Sequence, residues 1–428
     1  MSIRFHAVSS ALLLALASAL HGGHARADPA IPQPAARALV DRSYTHTPER
    51  EARGGYLVNG VLQCFICHSE RDWSQPGAPP RAGREGAGVV VRDDGTRRLV
   101  APNLTPDDAT GIGRFSDDML ARAIREGIGH DGRLLHPQMW YGSFRMLSDE
   151  DLAAVIVYLR SRPAVHNPLP ATLLDDDERR RYAGRPRPLT APVPDPPQAT
   201  PVERGRYLVE VADCMGCHTS WYSARNPGMY AGGNPIERGE HTVFSSNITP
   251  HPSGLAVDAD GFVTLIRTGK AGLTHPVMPW VAFATLTDSD LRAMHAALTT
   301  LHPVAHFIGN VGAAAQCAVC GQEHPLGALN VAPVYPVVQV DAALLDAYAG
   351  VYRNAAEDWT VHVSRDGDRL ALGDGGSMSI RLHPLSPERF LPESELPPLR
   401  FERAADGSVS GLVAEAMTPL VFERVQAR

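Results

Sequence analysis

Two pentapeptides carry the chemistry of this chain. Cys64-Phe65-Ile66-Cys67-His68 and Cys214-Met215-Gly216-Cys217-His218 both read Cys-x-x-Cys-His. Two thiols three residues apart on one helical turn can each add across a vinyl group of a haem, and the histidine that follows then offers its imidazole to the iron. One such pentapeptide is also compatible with a dithiol redox pair or half of a zinc site. Two copies with matching downstream features point to two covalently bound haem c groups. Cys64, Cys67, Cys214 and Cys217 are then the thioether positions, and His68 and His218 the proximal ligands.

The copies sit in a duplicated domain. Arg53-Gly54-Gly55-Tyr56-Leu57-Val58 returns as Arg204-Gly205-Arg206-Tyr207-Leu208-Val209, and Asn103-Leu104-Thr105-Pro106 as Asn247-Ile248-Thr249-Pro250. Ile124-Arg125-Glu126-Gly127 returns as Ile266-Arg267-Thr268-Gly269, and Ser148 to Leu152 as Thr287 to Leu291. The repeat unit is about 110 residues long.

That repeat selects the sixth iron ligand. With Asp151 set on Asp290, Pro137 meets Pro276 and Met139 meets Met278, whereas Met146 meets Thr285. Met139 and Met278 are therefore the distal candidates, with the aligned His136 and His275 as secondary ones. A histidine–methionine pair saturates the iron and favours its reduced form. Such a centre moves single electrons, with the protein setting ligation, burial and docking. No catalytic residue is assigned on this reading. Two alternatives stand beside it. A dihaem enzyme such as a peroxidase would need one iron with a displaceable ligand, which the paired methionines oppose. A ligand sensor would use the C-terminal region to report to the haem domains.

The elements that position these residues can be read in outline. Glu51 to His68 is expected to form the first haem helix, with Tyr56, Leu57 and the thiols on an inward face. Pro76 to Gly95 is Gly-rich and reads as a long irregular wrap. Phe115 to Glu126 reads as a helix capped by Ser116. Ser148-Asp149-Glu150-Asp151 opens a strong helix, with Leu152, Val155, Ile156 and Leu159 on one buried face. Ser148 and Asp151 resemble a capping box, and Pro163 stops the helix. Asp175 to Arg181 reads as a solvated charged turn of helix.

The whole chain has 428 residues, 44% hydrophobic and 20% charged, with a formal charge of −7. So mild a charge suggests no nucleic-acid partner. Arg4, the apolar run Ala11–Leu20 and the small-x-small Ala25-Arg26-Ala27 fit a cleaved secretion signal with a mature start at Asp28, hence a periplasmic location. The apolar run is short for a membrane anchor.

The ordered motifs RGxYLV, CxxCH, N[LI]TP, TGIG, IREG, PxMW and SDEDLAAVIVYLR resemble the class I cytochrome c domains of the cytochrome subunits of membrane-bound alcohol and gluconate dehydrogenases. The resemblance covers residues 50–165 and 200–305. It implies His68 and His218 as proximal ligands, Met139 and Met278 as distal ones, and electron transfer from a partner dehydrogenase towards quinone, a cytochrome or an oxidase. Those subunits commonly carry three haems. Here the third pair, Cys317-Ala318-Val319-Cys320, is followed by Gly321 rather than histidine, so two haems are expected. Three readings of that pair remain: a local disulfide, a free structural pair, or a metal site with His324 that lacks an evident fourth ligand.

From residue 341 onward short alternating runs replace helical periodicity. Trp359–Val363, Arg369–Leu372, Ile380–Leu382, Leu399–Arg403 and Leu420–Arg424 read as strands, with turns at Asp366-Gly367 and Asp406-Gly407. This stretch resembles the lipocalin-like domain at the C-terminus of some β-lactamase-like hydrolases, an accessory domain without catalytic residues. The expected fold class is multidomain: two mainly α cytochrome c domains and an antiparallel β domain. The order is a signal peptide (1–27), domain 1 (46–166), a Pro-rich linker (167–199), domain 2 (200–306), a linker with the cysteine pair (307–338) and the β domain (339–428).

Overall fold

A computed structural model describes residues 33–221, 227–238, 241–269, 277–332, 338–375, 379–394 and 396–425. The secretion signal and His275 lie outside the described residues. The chain forms two similar helical units and a β-barrel.

The first unit opens with α1 (Pro48–Tyr56), whose Thr47 side chain accepts from the Arg50 amide and whose first residue is a proline. Both features suit a helix start, since proline lacks only an amide that would be unpaired there. The single helix expected over 51–68 is not what forms. A π-helical turn, Leu57–Val61, follows α1. Gln63 then takes a left-handed conformation (φ 48°), and α2 (Cys64–Cys67) starts afresh. The wide turn keeps Leu57, Val58 and Val61 all in the core. Tyr56 packs against the core as expected, and its hydroxyl reaches the other unit.

The irregular wrap also holds regular structure. β1 (Val89–Asp93) pairs antiparallel with β2 (Arg98–Ala101), around a turn at Asp94-Gly95. The helices α3 (Asp117–Glu126), α4 (Tyr141–Phe144), α5 (Asp149–Arg160) and α6 (Asp176–Tyr182) follow. Ser116 and Ser148 cap α3 and α5 as expected. Asp151 does not complete a capping box, because its carboxylate binds Arg53 at 2.7 Å through both oxygens.

The second unit repeats this order with α7 (Pro201–Val211), α8 (Cys214–His218), β3 (Pro235–Arg238), β4 (His241–Phe244), α9 (Ala259–Thr268), α10 (Trp280–Phe283) and α11 (Asp288–Leu298). In each unit the first and last helices cross at a glycine. A Cβ on Gly54 would run into the Ala154 carbonyl, and one on Gly205 into the Ala293 carbonyl. The backbones therefore touch where the helices cross. The units share one apolar core, in which Leu57, Val61 and Leu152 of the first join Leu208, Leu286 and Leu291 of the second.

A small hairpin, β5 (Ala314–Gln316) with β6 (Glu323–Pro325), leads on to α12 (Ala342–Tyr348). The remaining strands are β7 (Gly350–Asn354), β8 (Trp359–Asp366), β9 (Arg369–Gly373), β10 (Ser379–Pro384), β11 (Arg389–Pro392), β12 (Leu399–Arg403), β13 (Val409–Ala414) and β14 (Leu420–Arg424). Each pairs with the next and β14 returns to β7, closing an eight-stranded up-and-down barrel. Closure removes the edges that would otherwise invite further strand pairing. The interior is filled by Tyr348, Tyr352, Phe390 and Phe401, with Tyr348 stacked on Phe401 at 4.0 Å. The barrel is anchored to the helices. Met417, between β13 and β14, joins the helical core, and Thr418 donates to both carboxylate oxygens of Glu210. No helix among the described residues is long and apolar enough to cross a membrane.

Candidate functional site

Each Cys-x-x-Cys-His begins after a left-handed residue, Gln63 (φ 48°) in one unit and Asp213 (φ 55°) in the other. The kink separates the short cysteine helix from α1 or α7. Cys64, Cys214 and Cys217 are partly buried and Cys67 is exposed. Burial pushes the Cys64 and Cys214 thiols up to about 12. Burial, then Asp213, then the nearby Cys67 push Cys217 up to about 11. A thiol that attacks as thiolate needs the opposite shift, so Cys64, Cys214 and Cys217 are unsuited to that role.

The two histidines share one arrangement, which suits metal ligation. His68 Nδ1 lies 2.8 Å from the Pro102 carbonyl, and His218 Nδ1 lies 2.7 Å from that of Ser246. A carbonyl only accepts, so Nδ1 carries the proton and Nε2 keeps its lone pair. This arrangement fixes the tautomer and aims a metal-bound imidazole. Burial lowers the pKa of both rings, which holds them neutral.

The surroundings of the two histidines repeat bond for bond. Gly88 N donates to the His68 carbonyl at 2.8 Å and Gly232 N to that of His218 at 2.7 Å. Asn103 Oδ1 accepts from the Thr105 amide and hydroxyl, while its Nδ2 donates to Val165 O at 2.8 Å. Asn247 does the same with Thr249 and Val304. The repeated Asn-x-Thr-Pro thus ties the wrap beneath each histidine to the segment leaving α5 or α11.

Met139 and Met278 are partly buried and pack on the shared core, to which Cys64 and Cys214 also contribute. Met146, the rival to Met139, is 37% exposed. His136 is engaged otherwise: its Nδ1 accepts from the Gln138 amide at 3.2 Å, and its ring meets Tyr182 edge-on. Arg125 donates to Leu147 O at 3.0 Å, and Arg267 to Ala284 O, holding the turn that follows each methionine. The donor set in each unit therefore fits a covalent haem: paired thiols, a tautomerically fixed histidine and a core-facing methionine.

The two sites adjoin. Tyr56 donates to Asp290 at 2.6 Å and Tyr207 to Asp151 at 2.7 Å, a reciprocal exchange between the units. Ser143 of the first unit donates to Asp213 beside Cys214 at 2.5 Å.

No family model matches the chain. Several curated proteins do. One of the subunits of nicotinate dehydrogenase from Pseudomonas putida is 31% identical over 267 residues, 58% of this chain and 21% of that protein. The fructose dehydrogenase cytochrome subunit of Gluconobacter japonicus is 28% identical over 317 residues, 68% of this chain and 59% of that one. Other relatives are cytochrome c proteins. A dihaem c-type cytochrome of Cereibacter sphaeroides is 29% identical over 213 residues, 47% of this chain and 68% of its own length. Cytochrome c subunits of quinone alcohol and gluconate dehydrogenases match as well. The chain spans from about a fifth to three fifths of the first two relatives. The resemblance to dihaem cytochromes and dehydrogenase cytochrome subunits therefore holds.

Sequence reasoning missed His306 as a neighbour of Cys317 and Cys320. The two thiols are free and buried, and His306 and His324 lie against them. The missed signal was weak: a histidine eight residues past α11, separated from the cysteine pair by an irregular segment.

Proposed function

We propose that the chain is a periplasmic dihaem c-type cytochrome, taking single electrons from a partner dehydrogenase and passing them towards the respiratory chain through a quinone, a cytochrome or an oxidase. Its cytochrome c domains are residues 46–166 and 200–306. Cys64, Cys67, Cys214 and Cys217 hold the two haems by thioether bonds. His68 and His218 are the proximal ligands, Met139 and Met278 the distal ones. The observation that carries this reading is the duplicated histidine geometry, Nδ1 spent on a backbone carbonyl and Nε2 left for iron, in units that also repeat the methionine.

Haem iron supplies a reversible one-electron couple. The protein's own part is positional. His68 with Met139, and His218 with Met278, would hold the two irons and leave no exchangeable position on either, which suits electron transfer over peroxide chemistry. The shared core and the crossed tyrosine bonds hold the two sites at fixed separation. Cys67, next to one proximal histidine, lies near Cys217, next to the other. That placement suits transfer between centres within one chain. The aromatic side chains filling the barrel favour a structural or docking role for it over ligand sensing.

The test is a pyridine haemochrome count with optical spectra of wild type, Met139→Ala and Met278→Ala. Two haems per chain are expected, with a sulfur-to-iron charge-transfer band that each substitution weakens by about half. A five-coordinate, peroxide-reactive iron in the wild type would overturn the electron-carrier reading.

A further inference from the structure

Outside the haem-type sites, four buried side chains converge on one point. His306, Cys317, Cys320 and His324 each present a ligand atom, and the four atoms lie within 4.8 Å of one another. All four residues are buried, His306 and His324 completely. A tetrahedral zinc site with bonds of about 2.3 Å to sulfur and 2.0–2.1 Å to nitrogen separates its ligand atoms by about 3.3–3.8 Å. The observed cluster needs only a small contraction to reach that geometry.

The histidines are set for coordination as His68 and His218 are. His306 Nδ1 lies 2.8 Å from the Ala231 carbonyl, and His324 Nδ1 lies 2.9 Å from that of Pro325. Both protons therefore sit on Nδ1, and both Nε2 lone pairs are free to bind. His306 Nε2 is buried without a hydrogen-bond partner, a costly arrangement unless something occupies the point it faces. His324 Nε2 lies 3.5 Å from Cys320 Sγ.

The cysteines sit on a metal-type knuckle. The Cys320 amide points at Cys317 Sγ at 3.5 Å, and Gly321 N donates to Cys317 O at 3.0 Å. Gly321 has φ 75°, a conformation glycine adopts without the Cβ penalty. The antiparallel register of β5 and β6, with Ala315 opposite His324, returns His324 to the two thiols. His306 arrives from the segment after α11.

We propose that His306, Cys317, Cys320 and His324 bind one structural zinc ion. The closed set of two thiolates and two imidazoles leaves no open position, as in structural rather than catalytic zinc sites. Zinc suits that soft, tetrahedral set and has no redox chemistry to compete with neighbouring electron carriers. A Rieske-type cluster would place its histidines on one iron and its thiolates on the other. That would hold nitrogens and sulfurs on opposite sides, whereas here all four atoms surround one point. The ion would also brace the second unit, because Ala231, which accepts from His306, adjoins Gly232, which donates to the backbone of His218.

The test uses the full-length haem-loaded protein. Elemental analysis after dialysis against a weak chelator should find one zinc per chain beside the haem iron. Zinc X-ray absorption should show two sulfurs at about 2.3 Å and two nitrogens at about 2.0–2.1 Å. Cys317→Ser and His306→Ala should each cut bound zinc more than tenfold with the haem count unchanged. If neither variant accumulates, titrating the wild type with a mercurial should release one zinc as two thiols react. A wild type free of zinc, with Cys317 and Cys320 joined as a disulfide, would overturn the proposal. So would zinc bound without sulfur, or non-haem iron in the same four-ligand set. The outcome is independent of the haem reading, since it turns on zinc and not on haem.

Discussion

The Tyr56 hydroxyl donates to Asp290 across the boundary between the helical units at 2.6 Å, while Arg204 of the second unit grips the same carboxylate through both oxygens. The mirror arrangement joins Tyr207 to Asp151, which Arg53 holds. Each aspartate thus serves its own unit and the neighbouring one. The motif repeated for the sake of each domain also fastens the two together.

Removing either tyrosine hydroxyl should loosen that joint. Tyr56→Phe and Tyr207→Phe are each expected to cost about 1.5–3 kcal/mol, the range for hydrogen bonds to charged groups. Tyr207, almost wholly buried, should lie at the upper end. Urea unfolding followed by far-ultraviolet circular dichroism measures both. Unchanged midpoints would mean the units are held by apolar packing alone.

The joint should weaken in acid. Burial pushes the Asp290 carboxyl up, but the Arg204 and Tyr56 hydrogen bonds outweigh it, so its folded pKa lies below the ordinary value. A depressed carboxylate contributes stability that is full above its unfolded pKa of about 4 and is lost as pH falls through the folded value. Unfolding midpoints of the wild type should therefore drop between pH 5 and pH 2. Asp290→Asn should be less stable at pH 7 and show a flatter profile. An equal slope for the two proteins would sink this assignment.

Gly54→Ala and Gly205→Ala should each destabilise by about 1–3 kcal/mol or more, because the new methyl meets a carbonyl of the crossing helix and the backbones must part. Gly142→Ala is the control. It lies in α4 with open space at its Cβ and should be neutral or mildly stabilising. Thermal unfolding of the three variants compares them directly.

Met417→Ala changes a barrel residue but should lower the stability of the helical units, by about 2–5 kcal/mol. The far-ultraviolet helical signal should melt earlier than in the wild type. If only the barrel's near-ultraviolet aromatic signal shifts, Met417 does not contribute to the helical core.

What the sequence made legible was local or repeated. Ser116 and Ser148 announced helix starts because a cap acts over three residues, and Leu152 to Leu159 announced a buried face because helical period is local too. The duplication exposed paired methionines that one copy would have hidden among ten. Features depending on distant contacts were hidden. The π-turn at Leu57–Val61 arises where three apolar residues compete for one core, and the β1–β2 hairpin was masked by the glycines around it. His306 meets Cys317 only through the path of an irregular segment. Met417 joins the helices only because the barrel carries it there.

The clasp of Thr418 on Glu210 bridges 208 residues. Burial raises the Glu210 carboxyl above its ordinary pKa, so this acid rests in a place made for it by a hairpin that emerges much later. During synthesis the second helical unit has its own sequence complete, yet lacks the methionine that fills its core and the hydroxyl that satisfies its buried acid. Its final consolidation must wait for the barrel, which makes the accessory domain a late step in folding order and not merely an appendage.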